Sequence, residues 1–266
     1  MRTVRENLID RGDIRLYYSV AGEAERSVPL LLSHGFSASS AMWEPNLSEL
    51  AASRQVITWD IRGHGQTVVP PRPEMYSHDA SLEDMAAVLD ACGLQSAAVG
   101  GLSLGGYLSL AFYNRYPERV RALLLFDTGP GYRNDEGRQG WNNYAVSQAE
   151  RLETAGLEAL GNSPEVTRGV HDPHGLALAA RYILTQQGSE VIESLDSIDV
   201  PTLVLVGELD RAFLKAADYM ASHIPRSKKV VLPGAGHAAN IDQPEAFNRA
   251  VEDFLATLTP AGNGQP

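Results

Sequence analysis

Short apolar runs separated by turn residues set the rhythm of the chain. Residues 4–9 and 14–20 read as two strands joined through Asp10-Arg11-Gly12-Asp13, a composition suited to a tight antiparallel turn. Further runs follow at 29–33, 55–60, 97–102, 120–126, 201–206 and 229–232. Most are apolar without strict alternation, as expected for parallel strands covered on both faces.

Helical spacing fills the intervals. Leu82, Met85, Ala86 and Leu89 recur at i, i+3, i+4 and i+7, with Ser81 placed to cap the start and Gly93 to end the helix. A helix is expected over 106–116. Pro244 suits the first turn of a last helix carrying Phe247, Val251, Phe254, Leu255 and Leu258. Strands alternating with helices imply an α/β fold, with a mostly parallel central sheet and helices on both faces.

The alternation lapses once, between 128 and 199. Residues 141–160 and 176–187 read as helices, separated by Gly161-Asn162-Ser163-Pro164 and Asp172-Pro173. An insertion between two strands is expected to lie over the carboxyl ends of the sheet, where open α/β proteins bind ligands. The expected division is a core of residues 1–127 and 200–258, a helical lid of 128–199, and a flexible tail of 259–266.

Composition narrows the function classes. The 266 residues are 44% hydrophobic and 21% charged, which is ordinary for a globular chain. With Lys+Arg 22 against Asp+Glu 33, the net charge is −11, a field that repels phosphate backbones and anionic headgroups. Nucleic acid and membrane partners are not expected. The lone Cys92 forms no internal disulfide and sits where a small core residue belongs. No apolar leader or run of about 18 residues is evident, so a soluble cytoplasmic protein acting on a small molecule is expected.

The densest chemical signal is Gly101-Leu102-Ser103-Leu104-Gly105, directly between a strand-like and a helix-like segment. A serine forced into a sharp strand-to-helix turn needs neighbours without side chains two positions either side, because the backbones pass close there. Such a turn exposes the Ser103 hydroxyl and leaves the Leu104 amide at a helix amino end, suited to developing negative charge. A serine hydroxyl needs a positioned base, and the base an orienting acid. Two later strand ends offer both: Gly207-Glu208-Leu209-Asp210 and Gly234-Ala235-Gly236-His237. The order Ser103, Asp210, His237 is that of one class of triad.

Together with His34-Gly35-Phe36 and Asp60-Ile61-Arg62-Gly63-His64-Gly65, these motifs resemble the α/β-hydrolase superfamily over residues 13–258, the lid excepted. Within it the chain resembles lidded serine hydrolases: esterases, enol-lactonases and C–C bond hydrolases. The resemblance implies that the backbone amides of Phe36 and Leu104 form the oxyanion hole. It disfavours the branch with an aspartate nucleophile, since serine occupies the turn. One departure is Gln66-Thr67, where relatives typically continue with serine.

Other polar residues have competing readings. Asp127 also ends a strand, where some relatives place the acid; Asp210 lies in the better motif. Glu208 is read as a partner of nearby loops, and His34 and His64 as scaffolds of the oxyanion loop. His171-Asp172-Pro173-His174 reads as a solvated loop rather than a metal site, because Pro173 interrupts any helix that would align the ligands. In the lid, Trp141 and Tyr144 are candidate substrate contacts, with Tyr182 and Leu184 as further apolar surface. Arg133, Asn134, Arg138 and Arg181 are candidates for holding a substrate carboxylate. No dinucleotide fingerprint or phosphate loop is present, and the expected chemistry needs no cofactor and no metal. Ester or lactone hydrolysis is the leading expectation. C–C cleavage or formation on the same triad, and a receptor-like module with weak turnover, are the alternatives.

Overall fold

A computed structural model describes residues 4–23 and 27–258. Eight strands form one sheet: β1 (Val4–Arg11), β2 (Ile14–Ala21), β3 (Leu30–Ser33), β4 (Val56–Trp59), β5 (Ala97–Leu102), β6 (Val120–Phe126), β7 (Thr202–Gly207) and β8 (Ser227–Leu232). Their order is β1-β2-β4-β3-β5-β6-β7-β8. Only β2 runs against its neighbours; the pairings from β4 to β8 are all parallel. The opening hairpin is tighter than the composition suggested. Asp10 and Arg11 pair within the ladder, leaving Gly12 and Asp13 as a two-residue loop with Gly12 at φ +68°.

Side chains of the central strands alternate between two cores, following the twofold period of a strand. Leu31, Leu123, Leu125, Val204 and Val206 face one layer, built with Leu82, Met85 and Leu89 of α2 (His78–Ala91) and Phe112 of α3 (Leu104–Arg115). The same layer takes Met220. Leu30, Leu32, Leu124, Phe126, Leu203 and Leu205 face the other layer, with Leu50, Phe247 and Val251. Burial on both faces explains why these runs lack alternation.

The other helices are α1 (Glu44–Leu50), α4 (Asp135–Ala155), α5 (Pro173–Ala179), α6 (Glu190–Glu193), α7 (Leu214–His223), α8 (Ala239–Asp242) and α9 (Pro244–Leu255). Pro244 opens α9 as expected. The cap of α2 is Ser77, not Ser81: Ser77 Oγ accepts the Ala80 amide at 3.0 Å, and Ser81 returns its hydroxyl to the Ser77 carbonyl. The polar first turn adds nothing to the apolar period, so periodicity placed the start too late.

No strand occurs between β6 and β7 among the described residues; this segment holds α4, α5 and α6. Helix α4 begins six residues before the expected 141, capped by Asn134, whose side chain accepts the Gly137 amide at 2.7 Å. The helix expected over 176–187 is instead α5 followed by a π-helical turn, Ala180–Leu184. Pro173 starts α5 rather than interrupting a helix, since Asp172 caps it by accepting the His174 and Gly175 amides. The expected tail, 259–266, lies outside the described residues.

Candidate active site

Ser103 sits between β5 and α3 with φ +54° and ψ −114°, a strained conformation for a residue with a side chain. The flanking glycines permit it. A Cβ on Gly101 would lie 2.5 Å from the Ser33 carbonyl oxygen and 2.6 Å from Gly105 C, and one on Gly105 would lie 2.3 Å from the Ser33 oxygen. The end of β3 therefore enforces the two glycines as much as the strand and helix do. Ser103 is fixed by its own backbone: its amide donates to Phe126 O (2.9 Å), and its carbonyl accepts the Thr128 hydroxyl (2.6 Å). Leu104 opens α3, so its amide has no intrahelical acceptor.

The loop after β3 brings Gly35 against Ser103: a Cβ there would be 3.5 Å from Ser103 Cβ. Phe36 follows directly. Two buried histidines hold this loop. His34 Nε2 accepts the Ile61 amide (3.0 Å), so Nδ1 donates to Gly35 O (2.7 Å). His64 Nε2 accepts the Ser37 amide (3.1 Å), so Nδ1 donates to Arg62 O (3.1 Å). Burial lowers their pKa values to about 4 and about 3, which keeps both rings neutral and both acceptors in place. Asp60 supports the neighbouring turn, accepting the Ser40 and Gln66 amides at 2.7 Å each, and the Thr67 hydroxyl donates to the Asp60 carbonyl (2.6 Å). At the Gln66-Thr67 departure, the hydroxyl that ties the turn back to Asp60 is that of Thr67, which also accepts the Tyr17 amide at 3.0 Å.

Phe36 has a second set of contacts. Its side chain packs on the main core and also on a small cluster of Ala149, Leu152, Leu176, Ala177 and Ala180, which belongs to α4, α5 and the π-helical turn. The segment between β6 and β7 is therefore anchored on the loop beside Ser103.

Asp210 and His237 meet after β7 and β8. Asp210 Oδ2 lies 2.7 Å from His237 Nδ1, and the His237 ring stacks on Phe213, with centroids 5.2 Å apart and planes at 24°. The His237 loop is held along its length: Glu208 accepts the Gly234 amide (2.9 Å), Ala235 O accepts the Leu209 amide (2.8 Å) and Asp242 accepts the Gly236 amide (2.8 Å). Glu208 is thus a loop partner. Burial alone would push the His237 pKa down; the hydrogen bond and charge of Asp210, with Asp127 and Glu165, outweigh it and leave the value above the ordinary 6.5. No hydrogen bond joins Ser103 Oγ to His237 among the described residues. Such bonds are commonly long without substrate and tighten when it binds.

Ser103 opens into a cavity of about 380 Å³ lined by Leu104, Tyr107, Thr128, Trp141, Leu184, Gln186 and Phe213, among others. Trp141 is fixed there by donating its indole N–H to Leu184 O at 2.7 Å. Tyr144 does not line this cavity; it is 51% exposed and touches the Trp141 ring from outside. Tyr182 is also exposed. The polar candidates are mostly engaged: Asn134 caps α4, Arg138 bonds the Tyr132 and Arg133 carbonyls, and Arg181 forms a two-point pair with Glu153. Arg133 reaches the Tyr219 hydroxyl at 3.3 Å. The cation that does line the cavity, Lys215, was missed along with Tyr107, Thr128 and Phe213. The available signal was position, since residues just past strand ends and at the start of the following helix face the carboxyl edge of the sheet.

Residues 30–250 match the Alpha/beta hydrolase family. The chain belongs to that family. It is 30% identical over 262 residues to a Bacillus subtilis (strain 168) protein provisionally named 2-succinyl-6-hydroxy-2,4-cyclohexadiene-1-carboxylate synthase, covering 91% of this chain and 95% of that one. It is 28% identical to 3-oxoadipate enol-lactonase 2 of Acinetobacter baylyi (strain ATCC 33305 / BD413 / ADP1), covering 91% and 94%. Among solved structures, a thermophilic esterase from Thermogutta terrifontis superposes with a TM-score of 0.81 at 28% identity, covering 96% of this chain and 99% of that one.

Proposed function

We propose that the protein is a cofactor-independent serine hydrolase cleaving a small or medium carboxylic ester or lactone through an acyl-enzyme. The observation that carries this reading is the 2.7 Å Asp210–His237 pair, set at the carboxyl edge of the sheet that also presents Ser103 in its strained turn. Asp210 holds the Nδ1 proton, leaving Nε2 free to take the proton of Ser103 as its oxygen attacks the carbonyl. The Phe36 and Leu104 amides stabilise the resulting oxyanion. His237 returns the proton to the leaving oxygen, then activates a water that releases the acid. The segment over residues 128–199 acts as a lid, with Trp141 forming part of the apolar acyl site. The names of the lactonase and esterase relatives agree with this chemistry.

A second reading, C–C bond lysis or formation on the same triad, has one specific support: the 30% identical relative is named for making a product whose name carries both a succinyl and a carboxylate group. A substrate of that kind calls for several cations. Lys215 is the one Lys or Arg lining the cavity among the described residues, while Arg138 and Arg181 are tied elsewhere. This favours a neutral or singly charged ester or lactone.

The test is a purified-protein comparison of acyl esters of graded length, an enol-lactone and a vinylogous diketone. The expected results are fluorophosphonate labelling of Ser103, lost in Ser103→Ala, and a burst near one equivalent of alcohol from a slowly deacylating ester. A diketone preferred by about 100-fold in kcat/KM would favour the C–C reading. Negligible turnover with tight ligand binding would favour a receptor.

A further inference from the structure

The polar residues on the wall of the Ser103 cavity differ in what they leave free for a ligand. The Thr128 hydroxyl is spent on the Ser103 carbonyl (2.6 Å), and Lys215 is exposed, so its ammonium is open to water. Gln186 lines the same cavity at only 8% exposure and has no part in the chemistry described so far. A buried carboxamide on an otherwise mostly apolar wall is the kind of group that fixes a ligand's orientation.

Gln186 follows the π-helical turn Ala180–Leu184, and a helix end leaves carbonyls without intrahelical partners. Two consecutive residues of α4 grip this end. Trp141 donates to Leu184 O, while Asn142 brackets Gln186, accepting its amide at 2.7 Å and donating to its carbonyl at 2.9 Å. The side chain is fixed as well. Its Oε1 accepts the Tyr132 amide at 3.2 Å; a backbone N–H can only donate, so the carboxamide oxygen is the atom turned to Tyr132 and the nitrogen takes the other side. Gly131, at φ +87°, makes room for this group: a Cβ there would lie 2.9 Å from Oε1 and 3.2 Å from Nε2. Nε2 has no hydrogen-bond partner among the described residues and is not sealed from solvent. The cavity is the space its residue lines.

We propose that Gln186 is a specificity-determining residue whose Nε2 donates a hydrogen bond to an uncharged oxygen on the acyl group of the substrate, so that the preferred substrates are oxo-acyl esters or lactones rather than plain alkyl ones. An alkyl chain laid over Nε2 strips its water and returns no acceptor, which leaves a buried donor unpaired. A site built around a polar group discriminates against the analogue that lacks the matching group more strongly than an apolar pocket discriminates by size. A keto oxygen needs one directed donor and no countercharge, and a neutral carboxamide held at its oxygen and at both sides of its backbone supplies that. The proposal rests on the reading of Ser103 as the nucleophile of acyl transfer, and it names the acyl class which that reading leaves open.

The test compares p-nitrophenyl acyl esters carrying a keto oxygen at successive carbons of the chain with esters carrying a methyl branch at the same carbon, which match them in shape. Each kcat/KM is divided by the rate of alkaline hydrolysis of that ester, which removes intrinsic reactivity. In the wild type the keto ester should be favoured by about tenfold or more at one position along the chain. Gln186→Glu keeps an oxygen for the Tyr132 amide but replaces the donor with an acceptor, and should bring that ratio to about one or below while fluorophosphonate labelling of Ser103 persists. Gln186→Met should give the same ratio, and decides should Gln186→Glu not fold. A ratio near one at every position in the wild type overturns the proposal. So does a preference that survives in the variants: with turnover intact it places the oxygen on another donor such as Lys215, and with equal losses for both esters it leaves Gln186 a structural role. Absence of both labelling and ester turnover in the wild type would instead bring down the acyl-transfer reading, and this proposal with it.

Discussion

The rings of His237 and Phe213 lie 5.2 Å apart and nearly parallel, so the candidate base is held on one flank by packing and at Nδ1 by Asp210. The Asp210 bond fixes one edge of the imidazole and leaves rotation about that bond to be limited by the neighbouring ring. Phe213→Ala should lower kcat by about 10-fold or more with a smaller change in stability, because misplacement of a catalytic group by 1 Å can cost about 100-fold. Phe213→Tyr should retain most activity. Steady-state kinetics with thermal melts checks this; equal kcat in Phe213→Ala would remove Phe213 from the positioning role.

The pH dependence follows from the state of His237. In the proposed mechanism only the neutral ring can accept the Ser103 proton, and its pKa lies above 6.5 because Asp210 outweighs burial. The acid limb of kcat/KM should therefore have a midpoint above 6.5, with activity falling as pH falls through it. In Asp210→Asn the surviving activity should carry the His237 limb at lower pH. A wild-type midpoint below 6.5 would contradict the pairing.

Asp127 gives a stability prediction of opposite sign to an ordinary salt-bridged carboxylate. With a folded pKa of about 8 against 3.8, the folded protein retains a proton that the unfolded chain releases between those values. The associated stability is fully present below 3.8 and lost as pH rises through about 8. Relative to Asp127→Asn, the wild type should lose urea resistance from about pH 5 to about pH 8. Parallel midpoints for the two proteins over that range would refute the shifted pKa.

Two glycine substitutions should act in opposite directions. Gly105→Ala places a Cβ 2.3 Å from a backbone oxygen and should cost more than about 2 kcal/mol and most of the activity. Gly140, inside α4, has nothing within 4 Å of the same atom, so Gly140→Ala should stabilise by about 0.5–1 kcal/mol without changing kcat. Thermal melts of the two variants check both signs.

These contrasts mark what the residues disclose in one dimension. Strands β3 to β7 were legible because double-sided burial demands uninterrupted apolar runs, and Ser103 because only a glycine-flanked turn tolerates its backbone. The Asp210–His237 meeting was legible through strand ends. Tyr144 was not placed correctly, since a helical aromatic can face either side of the surface, and in α4 it is Trp141 that turns inward. The start of α2, the π-helical turn and Lys215 carried no periodic signal. The double anchoring of Phe36 depends on α4 and α5, some 110 to 145 positions away in the chain, and no local pattern announces it.

That anchoring limits modularity. Phe36 contributes its backbone to the loop beside Ser103 and its side chain to the cluster formed by Ala149, Leu152 and Leu176. A chimera receiving this segment from another family member would inherit a socket shaped for a different plug, and a chain trimmed of it would leave the loop without its outer wall. Exchanging this segment within the fold thus means moving position 36 and its socket as a single inherited unit.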